Sequence, residues 1–267
     1  MRVAPQPHAH MAPERAEMSE RQKRIKTELR EDFGYWSEGF ETLLHRDPGF
    51  LEQFHEVATH PQRGGELSGR TRELVYVGVL CMAPNFDEAE LRRHVRAALK
   101  NGAEFREVLA VFKLMSAIGS HSFVEGAPLL VEAAGEPDLD EDERAQFEEI
   151  KQAFVEKRGY WDDEMWGDVA RLDIEWFVDY LEFTSYLVEN LALDRKEIEL
   201  IATAADSSLG HTFELGLRNH LENALEHGAT VGEVVEVFEI MSAAGVNSIN
   251  QGISILLEEV DDPGVDH

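Results

Sequence analysis

A glutamate and a histidine at helical spacing are the residues whose types first suggest catalysis. Glu90 and His94 are four positions apart in the segment ELRRHVRAALK, so a helix would place both side chains on one face. A histidine titrates near neutral pH and can move a proton, and a neighbouring carboxylate fixes its tautomer and raises its basicity. The structural alternative is a solvated pair that only stabilises its helix, by about 0.2–0.5 kcal/mol.

The elements that must position this pair are predicted to be helices. Apolar residues in the segment 104–118 recur at spacings of three and four, and the segment 231–244 repeats that pattern, which is typical of amphipathic helices. No alternating apolar run is flanked by turn dipeptides, so strands are not indicated. The sequence therefore predicts an all-α protein.

The two halves of the chain repeat each other. The stretch HVRAALKNGAEFREVLAVFKLMSAIG from His94 aligns with HLENALEHGATVGEVVEVFEIMSAAG from His220, at a constant offset of 126. Further upstream, Glu73 aligns with Glu197 at an offset of 124, which would make the intervening loop two residues longer in the second half. A fused tandem duplication of this kind is expected to pack its halves about a pseudo-twofold axis.

Boundaries follow from composition. The first 14 residues contain three prolines and no apolar periodicity, which predicts a disordered arm. The acidic stretch GEPDLDEDE separates the halves and ends in a helix start. We expect a first repeat at 15–134, a linker at 135–143, a second repeat at 144–260 and a tail at 261–267.

Charge and cysteine content exclude several classes of protein. The chain has 53 acidic and 25 basic residues and a net charge of -28, which argues against nucleic acid and anionic membranes as partners. Cys81 is the only cysteine, so an intrachain disulfide and a cysteine-rich zinc site are excluded. No metal-ligand spacing such as HxxxH or HExxH occurs. The longest apolar stretch is far shorter than a membrane span and no apolar leader is seen, so we expect a cytoplasmic protein.

The segment from Glu90 to Gly102, with the pattern ELxxHxxxALxxG, resembles the signature of the carboxymuconolactone decarboxylase family, within the wider alkylhydroperoxidase D-like group. That family carries a glutamate near the start of the preceding helix, which corresponds here to Glu73 and, in the second half, to Glu197. The resemblance covers about 35–130 and 160–257. It implies two tandem alkylhydroperoxidase D-like helical repeats and an obligate oligomer.

Peroxidases of the wider group carry a CxxC pair four and seven residues before the family histidine. This chain has Glu90 and Asp87 at those positions in the first half, and Gly216 and Phe213 in the second. Dithiol peroxidase chemistry is therefore excluded.

The resemblance makes His94 the expected acid–base residue, with Glu73 and Glu90 as the carboxylates that orient or polarise it. A small-residue turn follows the next helix, and in it His121 and its counterpart Asn247 are predicted to contact the substrate.

The second half has fewer of the residues expected to form the site. His220 and Glu197 remain and His211 is an additional histidine, but Gly216 replaces Glu90. Asp194 and Glu197 also form the pattern of a capping box, which is the structural alternative for Glu197. We expect the working site in the first half, with the second half as a scaffold or a contributor.

The implied substrate is a small carboxylated ring-fission product of aromatic catabolism. Decarboxylation of an unsaturated lactone acid sends electrons through the double bond into the lactone carbonyl, so a pocket that stabilises the enolate and protonates carbon needs no cofactor. An isomerase or tautomerase of an unsaturated dicarboxylate and a non-catalytic ligand-binding oligomer are the alternatives. Since the fused chain stands in for a dimer, a homotrimer is the favoured assembly.

Overall fold

The computed structural model describes residues 17–82, 86–246 and 248–260, and this part of the chain is almost entirely helical. Within it, the strands are two-residue segments, β1 (Ser207–Ser208) and β2 (His211–Thr212), paired antiparallel. The all-α prediction is confirmed, whereas the predicted arm and tail lie outside the described residues. The helices are α1 (Glu20–Phe33), α2 (Glu38–Arg46), α3 (Pro48–Ala58), α4 (His60–Gly64), α5 (Gly69–Leu80), α6 (Glu88–Lys100), α7 (Phe105–Ala117), α8 (His121–Ala134), α9 (Glu141–Arg158), α10 (Asp163–Leu172), α11 (Ile174–Glu189), α12 (Arg195–Asp206), α13 (Glu214–Glu226), α14 (Val231–Ser242) and α15 (Ile253–Val260).

Helix starts follow local sequence. The side chain of Asp140 accepts a hydrogen bond from the backbone of Glu143, whose own side chain bonds back to the cap, so α9 begins where the acidic stretch predicted a helix start. Asp194 and Glu197 form the same box before α12, and Thr230 and Glu233 form it before α14.

The helices of the two repeats correspond at an offset of 126. The bounds of α5 and α6 map onto those of α12 and α13, and α7 and α14 begin at equivalent residues, so no insertion separates the repeats in this region. The chain nevertheless divides into compact units that do not coincide with the repeats: one contains residues 1–59 and 245–267, and the other contains residues 60–244.

In the first unit, the opening helices of repeat one pack with the closing helix of repeat two. Phe40 and Leu44 of α2 are buried, and Asn250, just before α15, donates a hydrogen bond to the Tyr35 hydroxyl at 2.7 Å. A Cβ at Gly39 would overlap the backbone of Ile249, so the glycine permits this close approach.

The second unit contains two apolar clusters. One lies among α5, α7, α12 and α14, and the other joins α8, the closing helix of repeat one, to the opening helices α9–α11 of repeat two. Each repeat therefore packs its closing helix on the opening helices of the other, as pseudo-twofold packing requires.

Equivalent helices meet at the centre of the second unit. α5 packs against α12, and a Cβ at Gly78 would lie 2.8 Å from the Ile201 side chain, so glycine lets the two backbones approach. Leu74 and Leu200, which correspond by the repeat, are both fully buried here.

The helical run Phe105–Ala134, made of α7, a 3₁₀ turn and α8, is long and apolar enough to match a membrane span by length and composition, with a mean hydropathy of 1.2. A core helix of a globular protein meets the same criterion, and Val111 and Met115 of this run are buried in the first apolar cluster. The run is therefore weak evidence for a membrane span.

A buried ion pair connects α5 with α14. Arg72 donates to Glu236 at 2.7 Å, and the other oxygen of Glu236 accepts from the backbone N–H groups of Glu66 at 2.8 Å and Leu67 at 2.9 Å. The repeat gives this pair no equivalent, because the counterparts of Arg72 and Glu236 are Ile198 and Ala110.

Replacement of Glu236 by Ala is expected to lower the free energy of unfolding by about 3–5 kcal/mol, because it leaves the Arg72 guanidinium buried without its counter-ion. The double replacement Arg72→Ile with Glu236→Ala should recover part of that loss, since it installs the residues of the sister repeat. Urea unfolding at one protein concentration measures both.

Glu88→Ala serves as the control, because its ion pair with Arg92 is exposed and is expected to contribute about 1 kcal/mol at most. Equal losses for Glu236→Ala and Glu88→Ala would contradict a structural role for the buried pair.

Candidate functional site

A hydrogen bond joins the buried His94 on α6 to the partly buried Glu73 on α5. The distance from His94 Nδ1 to Glu73 Oε2 is 2.7 Å, and His94 is only 2% exposed. Ser68 caps α5 and Asp87 caps α6 through their side chains, which sets the start of both helices. The contact predicted between Glu73 and His94 is therefore present in the fold.

The other imidazole nitrogen faces an arginine and a second carboxylate. The Arg93 guanidinium lies 2.7 Å from His94 Nε2, and Glu90 Oε2 lies 3.8 Å from the same nitrogen. Arg93 also donates to Glu90 at 2.8 Å. Because arginine can only donate, Nε2 is the acceptor and the proton of the neutral ring lies on Nδ1, toward Glu73.

Burial keeps this imidazole neutral. It lowers the pKa of His94 below its usual value, and the hydrogen bond to Glu73 only partly opposes that effect. The Tyr76 ring stacks on the imidazole with centroids 4.0 Å apart, and burial raises the pKa of its phenol. His94 is thus a neutral base, and the lone pair on its Nε2 points at the Arg93 guanidinium.

The second repeat contains the same hydrogen bond with a different glutamate from the one predicted. His220 Nδ1 lies 2.6 Å from Glu199 Oε2, and each glutamate precedes its histidine by 21 residues in both repeats. The alignment of Glu73 with Glu197 is therefore wrong: the offset of 126 continues through α12 and makes Glu199 the counterpart. This constant offset is the sequence signal that identifies Glu199.

Glu197 has a different environment. It forms ion pairs with Arg70 and accepts a hydrogen bond from the Thr71 hydroxyl at 3.3 Å, while it completes the capping box of α12 with Asp194. The predicted capping box is confirmed, and the contacts of Glu197 connect α12 with α5.

A second carboxylate faces His220 from an unpredicted position. Asp206 Oδ2 lies 3.8 Å from His220 Nε2, the same distance that separates Glu90 from His94. Asp206 ends α12, whereas the counterpart of Glu90 is Gly216 on α13. A Cβ at Gly216 would overlap the Asp206 carboxylate. A side chain at position 216 and the Asp206 carboxylate therefore cannot occupy this space together.

His121 belongs to this second cluster. Its Nδ1 lies 3.3 Å from Asp206 Oδ1, and its ring packs on Phe213 with centroids 4.3 Å apart. The structure thus places this predicted substrate-binding residue beside His220. Asn247 lies outside the described residues, and of His211 the structure describes the backbone in β2 and not the side chain.

The second cluster differs from the first in protonation. Burial raises the pKa of Asp206 to about 7, against a smaller lowering by His220. Burial also opposes the charging of His220, but the hydrogen bond and charge of Glu199, together with Asp206, outweigh it and raise the pKa of that imidazole. This centre therefore retains protons at a pH where His94 is neutral.

A cavity of about 520 Å³ lies beside the 3₁₀ turn that precedes α8. Ser120 and Ser122, the neighbours of His121 in the chain, contribute to its wall, and Phe123, Trp176 and Tyr180 make that wall largely aromatic. Its size is that of a small-molecule site.

Comparisons with known proteins agree with the duplicated fold. The model of the carboxymuconolactone decarboxylase family matches residues 48–127 and 175–258, and so includes both histidine centres. A crystal structure from Burkholderia xenovorans, described provisionally as a gamma-carboxymuconolactone decarboxylase subunit, superposes with a TM-score of 0.79 at 31% identity, covering 90% of this chain and 97% of the other. No curated protein sequence matches the chain significantly.

Replacement of Gly216 by Ala is expected to destabilise the protein by about 1–3 kcal/mol, because the new methyl group would displace Asp206 and the Phe213 ring. Gly126→Ala on α8 is the matched control. Nothing lies near a Cβ there, so alanine should stabilise the helix by about 0.5–1 kcal/mol. Thermal unfolding of both variants measures the difference, and a Gly216→Ala protein as stable as Gly126→Ala would show that Asp206 does not occupy this space.

Proposed function

The chain belongs to the carboxymuconolactone decarboxylase family, and from that premise we propose that its first-repeat centre acts as a cofactor-independent carboxy-lyase. The proposed substrate is a small unsaturated carboxylated lactone or ring-cleavage acid from aromatic catabolism. The observation that carries the proposal is the hydrogen bond from the buried His94 to Glu73, which directs His94 Nε2 toward Arg93.

Arg93 is the group best suited to bind the substrate. A carboxylate would draw its guanidinium away from His94 and release the Nε2 lone pair for proton transfer. The second repeat has Asn219 at the position of Arg93 and Ala202 at that of Tyr76, so it lacks both neighbours of the first imidazole. This difference favours the first repeat as the site of reaction.

In the proposed reaction, the carbon–carboxylate bond breaks and its electron pair moves through the double bond onto the lactone carbonyl oxygen. Carbon dioxide leaves as a neutral molecule, and the positive charge of Arg93 stabilises the negative charge that develops on the lactone carbonyl oxygen. His94, protonated at Nε2 by solvent, delivers that proton to carbon and returns to its neutral form. Glu73 holds the Nδ1 proton throughout and stabilises the transient imidazolium, as an orienting carboxylate does in hydrolytic triads.

Replacement of His94 by Gln is expected to lower kcat/KM for 4-carboxymuconolactone by at least about 10²-fold, the usual contribution of a general acid–base residue. Turnover is followed by ultraviolet absorbance and carbon dioxide release. Since His94 must be protonated to deliver its proton and burial lowers its pKa, turnover should fall as pH rises, with the midpoint of that fall below pH 6.5.

His45→Gln is the control, because Glu41 and His45 form a Glu–His contact at the same spacing on the exposed face of α2, at 3.2 Å. That variant should keep wild-type turnover. A folded wild-type protein that releases no carbon dioxide would remove the decarboxylase proposal, and a shifted double bond without loss of carbon would indicate the isomerase alternative.

We also propose a homotrimer, supported by matching apolar stripes on the two repeats. Phe105, Leu109 and Phe112 are exposed on α7, and their counterparts on α14 are exposed as well, namely Val231, Val235 and Phe238. Exposed stripes of this kind are typical of protein interfaces.

Introduction of a charge into the stripe by Leu109→Glu is expected to shift sedimentation toward the 30.2 kDa monomer. Leu129→Glu, at a more exposed leucine on α8 outside the stripe, should leave the assembly unchanged. A wild-type monomer would contradict the proposal.

A further inference from the structure

One face of α12 has become polar where its counterpart in the first repeat is apolar. Glu199, Thr203 and Asp206 lie at i, i+4 and i+7 and so share a face of the helix. Their counterparts on α5 are Glu73, Val77 and Leu80. The repeats therefore share the glutamate that binds histidine, and they differ at the two following positions of that face.

Two buried hydroxyl groups at this end of α12 have no hydrogen-bond partner among the described residues. Thr203 is fully buried and Ser208, in the hairpin that follows α12, is 3% exposed, yet neither side-chain oxygen is bonded. The first repeat has Val77 and Met82 at these positions, so an apolar filling is compatible with the fold. Buried polar atoms without partners are rare and indicate a function such as ligand binding.

Histidines from both repeats face the same carboxylate. His121 of α8 and His220 of α13 lie 3.3 and 3.8 Å from the two oxygens of Asp206. The His220 side chain is 27% exposed, whereas His94 in the first centre is closed at 2%. The His220 ring of the second centre is therefore in contact with solvent, whereas the His94 ring is not.

We propose that Thr203, Asp206, Ser208, His121 and His220 form a second binding site, separate from the first-repeat centre, that takes the carboxylate group of a small acid.

The chemistry of the cluster supports a carboxylate ligand. Burial raises the pKa of Asp206 to about 7, so near neutral pH a part of the molecules carries a carboxyl proton that can be donated. Two hydroxyl groups and the His220 imidazole add further donors, and the pKa of that imidazole is raised as well. The Glu199 carboxylate is already paired with His220 Nδ1. The cluster thus offers hydrogen-bond donors and, at His220, an imidazole whose protonated form is positively charged. A carboxylate accepts hydrogen bonds from such groups.

The test uses maleate as the probe and its uncharged dimethyl ester as the control, with binding followed on ¹⁵N-labelled imidazole resonances. Maleate is expected to shift the His220 and His121 signals saturably, and dimethyl maleate to leave them in place. This readout does not depend on turnover, so the test of the second binding site is independent of the test of the proposed decarboxylase. Shifts of the His94 signal alone, or none at all, would overturn it.

Thr203→Val installs the residue of the sister repeat. It should raise Tm, because it removes a buried hydroxyl without a partner, and weaken maleate binding at least tenfold. Thr184→Val is the matched control: the Thr184 hydroxyl donates to the Tyr180 carbonyl at 2.8 Å, so its loss should lower Tm and leave maleate affinity unchanged.

Asp206→Leu, which installs the counterpart of Leu80, should abolish the maleate-induced shift of His220. A Thr203→Val protein that is more stable and binds maleate as tightly as wild type would overturn the assignment. So would an Asp206→Leu protein that remains folded with an unchanged His220 shift.

Discussion

The hydrogen bond between a buried glutamate and a histidine 21 residues later is the interaction on which both repeats are built. It crosses from α5 to α6 in the first half and from α12 to α13 in the second, at 2.7 and 2.6 Å. A buried carboxylate is costly unless it is paired, so the two helices of each repeat must keep a fixed register. The capping residues Ser68, Asp87 and Asp194 serve that requirement, because each one sets where a helix begins.

Around this shared bond the two repeats differ in the position of the second carboxylate that faces the histidine. The first repeat brings its second carboxylate from Glu90, four residues before the histidine, whereas the second brings Asp206 from the preceding helix and has Gly216 where Glu90 would stand. The two exchanges depend on each other, since a side chain at Gly216 would overlap Asp206. The consequence is chemical: His94 is a buried imidazole beside Arg93 whose pKa is lowered, while His220 is a partly exposed imidazole whose pKa is raised.

Periodicity and the internal repeat were enough to predict the fold class and the duplication, whereas the contact between Glu73 and His94 was predicted from the family resemblance. The second site was predicted only in part, because Glu197 and Glu199 are both glutamates near the start of one helix and the constant offset of 126 was not extended to them. The contacts show that Glu197 is the partner of Arg70 and Glu199 that of His220. Asp206 could not be found by comparing repeats, since its counterpart is Leu80. His121 was predicted as a pocket residue, but sequence spacing does not show that α8 brings it to the second histidine rather than the first.

Fusion of the repeats into one chain explains how such asymmetry arises. In a homodimer every substitution occurs twice, so a basic residue introduced on α5 would also appear at the equivalent place in the partner. In the fused chain, Arg72 is opposite Glu236 while Ile198 and Ala110 occupy the equivalent positions, and the pair is buried at 2.7 Å. The same freedom permits one centre to keep Arg93 and Tyr76 and the other to gain Thr203 and Asp206. A duplicated helical frame can thus support one centre suited to proton transfer and a second, different one suited to recognising an acid, because both keep the glutamate–histidine bond while the residues around it differ.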